Sequence, residues 1–186
     1  MKFLSSPTLF ALLFLSSGSF ATSAEDYCCR GGVTSGNYHQ HMLEQYLSVW
    51  NGELSLIEST FHPDVRVFSD RFPSSTGNGS TLNLVSSREE FGAFVKRARN
   101  GWAKYTFNPI RQVSNDHQIA VRWNMKGVLG NNFTLFPTPL VAGSAVTYNG
   151  TDYLVLDECT GLIREDYITQ DLISYFHSMG LTEITV

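Results

Sequence analysis

Apolar residues recur at helical spacing from Tyr38 to Trp50, where Met42, Leu43, Tyr46, Leu47 and Trp50 form one stripe. That pattern predicts an amphipathic helix with the stripe turned inward. Asn51-Gly52 ends it, and a second short helix is expected to turn Leu54, Ile57 and Phe61 inward. His62-Pro63-Asp64 reads as a chain break, with His62 a turn residue because proline restricts the residue before it. Val65 to Asp70 then reads as a short strand, and residues 71–86, rich in Ser, Gly and Asn, as an exposed loop. Ser87-Arg88-Glu89-Glu90 has the spacing of a capping box and opens a third helix. Its inner face is Phe91, Phe94, Val95 and Ala98, and Gly101 stops it.

Beyond Gly101 the period changes to two. Tyr105-Thr106-Phe107 begins a strand, Asn115-Asp116-His117 marks a hairpin tip, and Ile119, Val121, Trp123 and Met125 alternate with Ala120, Arg122, Asn124 and Lys126. Residues 130–145 hold Asn131, Asn132, Pro137, Pro139 and Gly143, which predicts a loop or a poorly paired edge. Gly150–Asp157 and Leu162–Asp171 then flank the polar turn Glu158–Gly161 as a hairpin lining a pocket. Alternation puts Asp152 on the face of Leu154 and Leu156, where desolvation should raise its pKa. Arg122 is expected to pair with Asp166 across strands, and Asp171 to cap a last helix, Leu172 to Met179. Helices followed by strands define an α+β class. The expected form is a curved antiparallel sheet wrapped around about three helices, a conical single domain of the cystatin-like kind.

In the 186-residue chain Lys2 is the only charge ahead of an apolar run from Leu9 to Leu15, and small residues follow through Ala24. This is the pattern of a secretory signal peptide cut after Ala24, with an apolar run too short to span a bilayer. Sequons at Asn78, Asn132 and Asn149 agree with that route. About 160 mature residues suit one domain, and a net charge of −4 argues against nucleic-acid or anionic-membrane partners. Three cysteines in an oxidising compartment predict one bridge, from Cys159 to Cys28 or Cys29, and a spare thiol. His39 and His41 stand two apart with no second cluster, so no metal site is expected.

Tyr46-Leu47-Ser48-Val49-Trp50-Asn51-Gly52-Glu53-Leu54, then Phe61-His62-Pro63-Asp64-Val65 and Phe68-Ser69-Asp70, resemble the opening of the nuclear transport factor 2-like superfamily. That superfamily includes ketosteroid isomerase, scytalone dehydratase and the SnoaL-like polyketide cyclases. Asp157–Glu165, ending in Asp171, is similar to the closing hairpin of the SnoaL-like group. The resemblance spans roughly residues 38–180; together with the leader read above, the chain divides into a signal peptide (1–24), an N-terminal segment with the Cys pair (25–37) and a SnoaL-like domain (38–186). Carried over from ketosteroid isomerase, it implies a general base at Asp70, an oxyanion-hole tyrosine at Tyr46 and a protonated acid at Asp152. For each residue a plainer reading stands beside this: a solvated strand end, a core tyrosine, and a surface aspartate beside a glycan.

Phe68, Trp102, Tyr105, Trp123 and Tyr167 are the aromatic residues expected to hold a hydrophobic ligand. No phosphate loop and no nucleophile–base–acid order is present, so no cofactor is expected. Together these point to a secreted, cofactor-independent isomerase, dehydratase or cyclase of a small hydrophobic metabolite. The alternative is a non-catalytic ligand-binding or interaction protein on the same fold. A second copy of the chain, docked through the sheet, is the one macromolecular partner considered.

Overall fold

A computed structural model describes residues 33–69, 82–135 and 137–182. The expected signal peptide, Cys28, Cys29, Asp70 and Asn78 lie outside the described residues. Helix α1, Gly36–Trp50, is capped by Ser35, whose side chain accepts from the Tyr38 N–H, and buries the predicted stripe. A 3-10 turn, Leu54–Leu56, leads into the single turn α2, Ile57–Thr60. Helix α3 spans Arg88–Ala98 and α4 Leu172–Ser178. The capping box forms with one change. Ser87 accepts from the Glu90 N–H, and Glu90 reaches back to the Ser86 N–H instead of that of Ser87. Asp171 caps α4 through the Ser174 N–H.

Among the described residues, six strands make one sheet in the order β2-β1-β6-β5-β4-β3. They are β1 Phe61–Ser69, β2 Leu82–Val85, β3 Trp102–Asn115, β4 Gln118–Leu129, β5 Ala145–Leu156 and β6 Ile163–Gln170. The sheet is mixed: β1 runs parallel to β6, and the other pairs are antiparallel. Helices α1, α3 and α4 pack on β3, β1 and β5.

Three expectations about β1 and its neighbours are corrected. Phe61 opens β1 instead of closing a helix, and it is buried all the same. His62-Pro63-Asp64 lies inside that strand. The β1–β6 register shifts between Phe61 and Arg66, so Pro63 sits where the ladder is interrupted and its missing N–H costs no bond. Leu82–Val85, assigned to a loop by its polar surroundings, pairs with β1 as β2. Four residues are too few to show a period, and the partner strand decides their conformation.

In the middle of the sheet, burial alternates strictly along β4 and β5. Ile119, Val121, Trp123 and Met125 face the helices from β4, and Val146, Tyr148, Asp152, Leu154 and Leu156 from β5. The interior is lined with rings: Trp50 meets Phe91 edge-on at 5.9 Å and Phe107 at 5.5 Å, and Phe107 meets Trp123 edge-on at 4.8 Å.

Gly150 stands directly across from Trp123 in the β4–β5 ladder, and a Cβ there would overlap the indole ring. We expect Gly150→Val to destabilise the fold by about 3 kcal/mol, the cost of overpacking a closed core. Chemical denaturation checks this, and an unchanged midpoint would show that the indole has room to move.

Candidate active site

Three strands and one helix bring four polar side chains together beneath the apolar lining. Tyr46 comes from α1, Trp123 from β4, Asp152 from β5 and Asp166 from β6. All four are interior: relative exposure is 0% for Tyr46 and Asp166, 1% for Trp123 and 4% for Asp152. Tyr46 Oη lies 2.7 Å from Asp152 Oδ2 and 2.9 Å from Asp166 Oδ2. Trp123 Nε1–H donates to the same Asp152 Oδ2 at 2.7 Å. The remaining carboxyl oxygens, Asp152 Oδ1 and Asp166 Oδ1, are buried with no hydrogen-bond partner. Acceptors left unpaired inside a core are costly, and they mark a place where chemistry or a ligand is expected.

Burial governs the acid strengths here. It pushes Asp152 up to about 7, and the hydrogen bonds from Tyr46 and Trp123 limit the rise. Asp166 is raised well above the carboxylate range, first by burial and then by the charge of Asp152, against a smaller pull from Tyr46. The Tyr46 hydroxyl is raised by burial and by both carboxyl groups, so it stays protonated. Farther along the interior, Tyr105 is pushed up to about 12 by burial and is hydrogen-bonded to Tyr148. The Tyr148 ring packs 4.4 Å from Tyr175 of α4. Arg99 lies over the Tyr105 ring, 5.6 Å from its centre, and donates from Nη1 to the backbone oxygens of Trp50 and Tyr105.

The alternation argument holds for Asp152, which shares its face with Leu154 and Leu156. It fails on β6. The β5–β6 register slips between Val155 and Leu156, so that Leu156 faces Ile163 while Val155 faces Glu165. The extra residue, Arg164, resets the alternation: Asp166 and Ile168 point inward and Tyr167 outward. Counting by twos from Ile163 would place Tyr167 inside, and no local signal in the sequence marks the bulge. The expected cross-strand pair of Asp166 with Arg122 does not form. The two residues lie on opposite faces, and Arg122 donates to Thr151 Oγ1 outside.

The expected ligand-holding aromatics divide accordingly. Trp123 and Tyr105 are interior. Trp102 is half-buried against Tyr105 and Phe133. Phe68 and Tyr167 are corrected: they stack on each other at 4.7 Å on the outer face, where the Tyr167 hydroxyl donates to Glu165. The pocket expected between the layers is not the space that the described cavities occupy. One, of about 440 Å³, lies under the 130–144 loop against Leu129, Phe133 and Leu140. Another, of about 420 Å³, lies between α2 and α3 against Ile57, Arg88 and Gly92. Neither is lined by Tyr46, Asp152 or Asp166.

Of the sequons, Asn132 is exposed in a turn, whereas Asn149 is half-buried on β5, its side-chain oxygen accepting from Asn124. Cys159 lies exposed in the β5–β6 turn, next to Asp157, whose side chain accepts from the Cys159 and Thr160 N–H groups. His62, expected in a turn, is instead a half-buried β1 residue whose Nδ1 accepts from the Asp64 N–H.

Helices packed on a mixed sheet, with a buried carboxyl pair between them, define an α+β domain. The SnoaL-like domain pattern matches residues 43–165, and the chain belongs to that family. Among solved structures, TsrD of Streptomyces laurentii superimposes with a TM-score of 0.61 at 16% identity, over 78% of this chain and 97% of that one. IdmH of Streptomyces antibioticus, a polyketide-cyclase candidate, gives 0.60 at 13% identity over 77% and 99%. A Catenulispora acidiphila protein with a ketosteroid isomerase-like fold, solved with trimethylamine, gives 0.55 at 13% over 75% and 92%. At such identities the likeness is one of fold. No curated protein matches the chain in sequence.

Proposed function

We propose that this protein is a secreted, cofactor-independent acid/base catalyst that isomerises, dehydrates or cyclises a small hydrophobic metabolite. The carrying observation is the buried Asp152–Tyr46–Asp166 set, in which burial pushes one carboxyl group up to about 7. A general base is most effective when its pKa lies near the working pH. The rings packed around the pair keep water out and strengthen each electrostatic contact within it. The family's solved relatives include the polyketide-cyclase candidate and the trimethylamine complex, which supports a small organic ligand.

Deleting the gene and profiling metabolites tests this reading. A substrate should accumulate, and complementation with Tyr46→Phe or Asp152→Asn should restore little product. Full restoration by both variants removes the acid/base reading.

A second reading, a binding protein that has kept the fold without the chemistry, is favoured by two cavities whose linings leave out the carboxyl pair. It predicts no metabolic change on deletion.

Secretion rests on the charged start, the Leu9–Leu15 run and the sequons. We expect glycosidase treatment to increase gel mobility, chiefly through the exposed Asn132. A chain that does not shift was never glycosylated. The bridge from Cys159 to Cys28 or Cys29 belongs to the same proposal; its loss should cost roughly 2–5 kcal/mol, and three free thiols by non-reducing mass analysis would dismiss it.

A further inference from the structure

The buried acid pair has more acceptors than hydrogens. Tyr46 carries one hydroxyl hydrogen, yet its oxygen is 2.7 Å from Asp152 Oδ2 and 2.9 Å from Asp166 Oδ2. With both carboxyl groups ionised, one of those contacts would set lone pair against lone pair in a water-poor interior. One carboxyl group therefore holds a proton and donates it to Tyr46 Oη, while the Tyr46 hydroxyl donates onward to the other.

Two directions satisfy that count, and Trp123 chooses between them. Its N–H meets the same Asp152 oxygen that faces Tyr46, at 2.7 Å. A carboxylate oxygen accepts two donors without conflict, and such charge-assisted bonds are the stronger kind. Asp166 receives no comparable second donor, for its other oxygen has no partner. Around Asp152 stand Tyr46 from α1, Tyr105 from β3, Tyr148 from β5 and Asp166 from β6, with Tyr175 of α4 behind Tyr148. The rise of Asp166 is driven, after burial, by the charge of Asp152.

We propose that Asp166 holds the resident proton, that Trp123 and Tyr46 are positioning residues fixing the direction Asp166 to Tyr46 to Asp152, and that Asp152 Oδ1 is the atom that exchanges a proton with the substrate. The last part rests on the acid/base reading above. In the step, the substrate's C–H or O–H bond breaks and its electron pair stays on the substrate. The proton goes to Oδ1 and is returned to another substrate atom, so no oxidant or reductant is needed. Asp166 thereby takes the neutral-acid role that the ketosteroid isomerase resemblance implied for Asp152, and Asp152 becomes the group that ionises.

The test needs no substrate. In ¹⁵N-labelled protein the Trp123 indole N–H resonance, assigned by its loss in Trp123→Phe, should move with pH through a midpoint in the neutral range. Asp166→Asn, which keeps a neutral donor toward Tyr46, should retain that titration, and Asp152→Asn should abolish it. Loss in Asp166→Asn with retention in Asp152→Asn overturns the proposed direction.

Should either variant fail to fold, the wild type labelled with ¹³C at aspartate carboxyl groups decides the matter. Asp152 should titrate while Asp166 stays at the protonated-acid shift, and the reverse overturns the proposal. In Trp123→Phe the Asp152 midpoint should rise by about one pH unit, since a donor to the ionised form is lost. Full turnover by Asp152→Asn, with the spectra as expected, would defeat the acid/base reading and the Oδ1 role while leaving the direction of the chain intact.

Discussion

Raising the pH from 5 to 8 is expected to lower the melting temperature by on the order of 10 °C. The sign follows from the direction of the shift at Asp152, whose value stands at about 7 in the fold against a usual 3.8. Below about pH 4 the group is neutral in both folded and unfolded chains and contributes no difference. Between that point and pH 7 the folded chain keeps a proton that the unfolded chain has released, so stability falls as pH rises. Asp166, also raised by burial and by the charge of Asp152, acts in the same sense. Asp157 and Asp171, held low by hydrogen bonds from Thr160 and Ser174, act in the opposite sense, but only as the pH falls toward their own lowered values. A rise of this size corresponds to several degrees or more for a domain of this size. Scanning calorimetry across the range checks the slope, and the Asp152→Asn, Asp166→Asn double variant should flatten it. A wild-type melting temperature constant from pH 5 to 8 would mean that the pair is solvated or compensated.

On the substrate that metabolite profiling identifies, Asp152→Asn should lower turnover by ~10²–10⁴-fold, the range of a lost general base. Asp166→Asn keeps a hydrogen-bond donor toward Tyr46 and should lose roughly tenfold or less by the same reasoning. The pH profile separates chemistry from folding: wild-type kcat/KM should climb through neutrality as Asp152 ionises, and Asp152→Asn should lose that limb. Asp70→Asn belongs in the series, since the family resemblance implies a base there. A large loss in that variant alone would return the base to Asp70 and leave the carboxyl pair a supporting role. If neither aspartate matters and changes at Trp123 dominate, the pocket works by shape and positioning instead.

Much of the architecture was legible because its signals are periodic and local. The stripe Met42, Leu43, Tyr46, Leu47 and Trp50 could bury only as a helix. Ser87 and Asp171 cap helices with their own side chains. Strict alternation along β4 and β5 carried Trp123 and Asp152 to the interior. The family resemblance added the superfamily and implied one site for Tyr46 and Asp152, two residues that sequence spacing leaves unrelated.

What the sequence by itself determined, then, is the class of fold, the inward placement of one aspartate, and the family in which to look. The tertiary structure decided the rest. Only the pairing of β5 with β6 shows the bulge at Arg164, which turns Asp166 inward and sends Tyr167 out to stack on Phe68. Only the parallel pairing of β1 with β6 explains how Pro63 sits within a strand. The physical reason is common to both: a strand's period is written in its own residues, but its register is a relation between two segments far apart in the chain. A shift of one residue inverts every side chain beyond it, and with it the membership of the site.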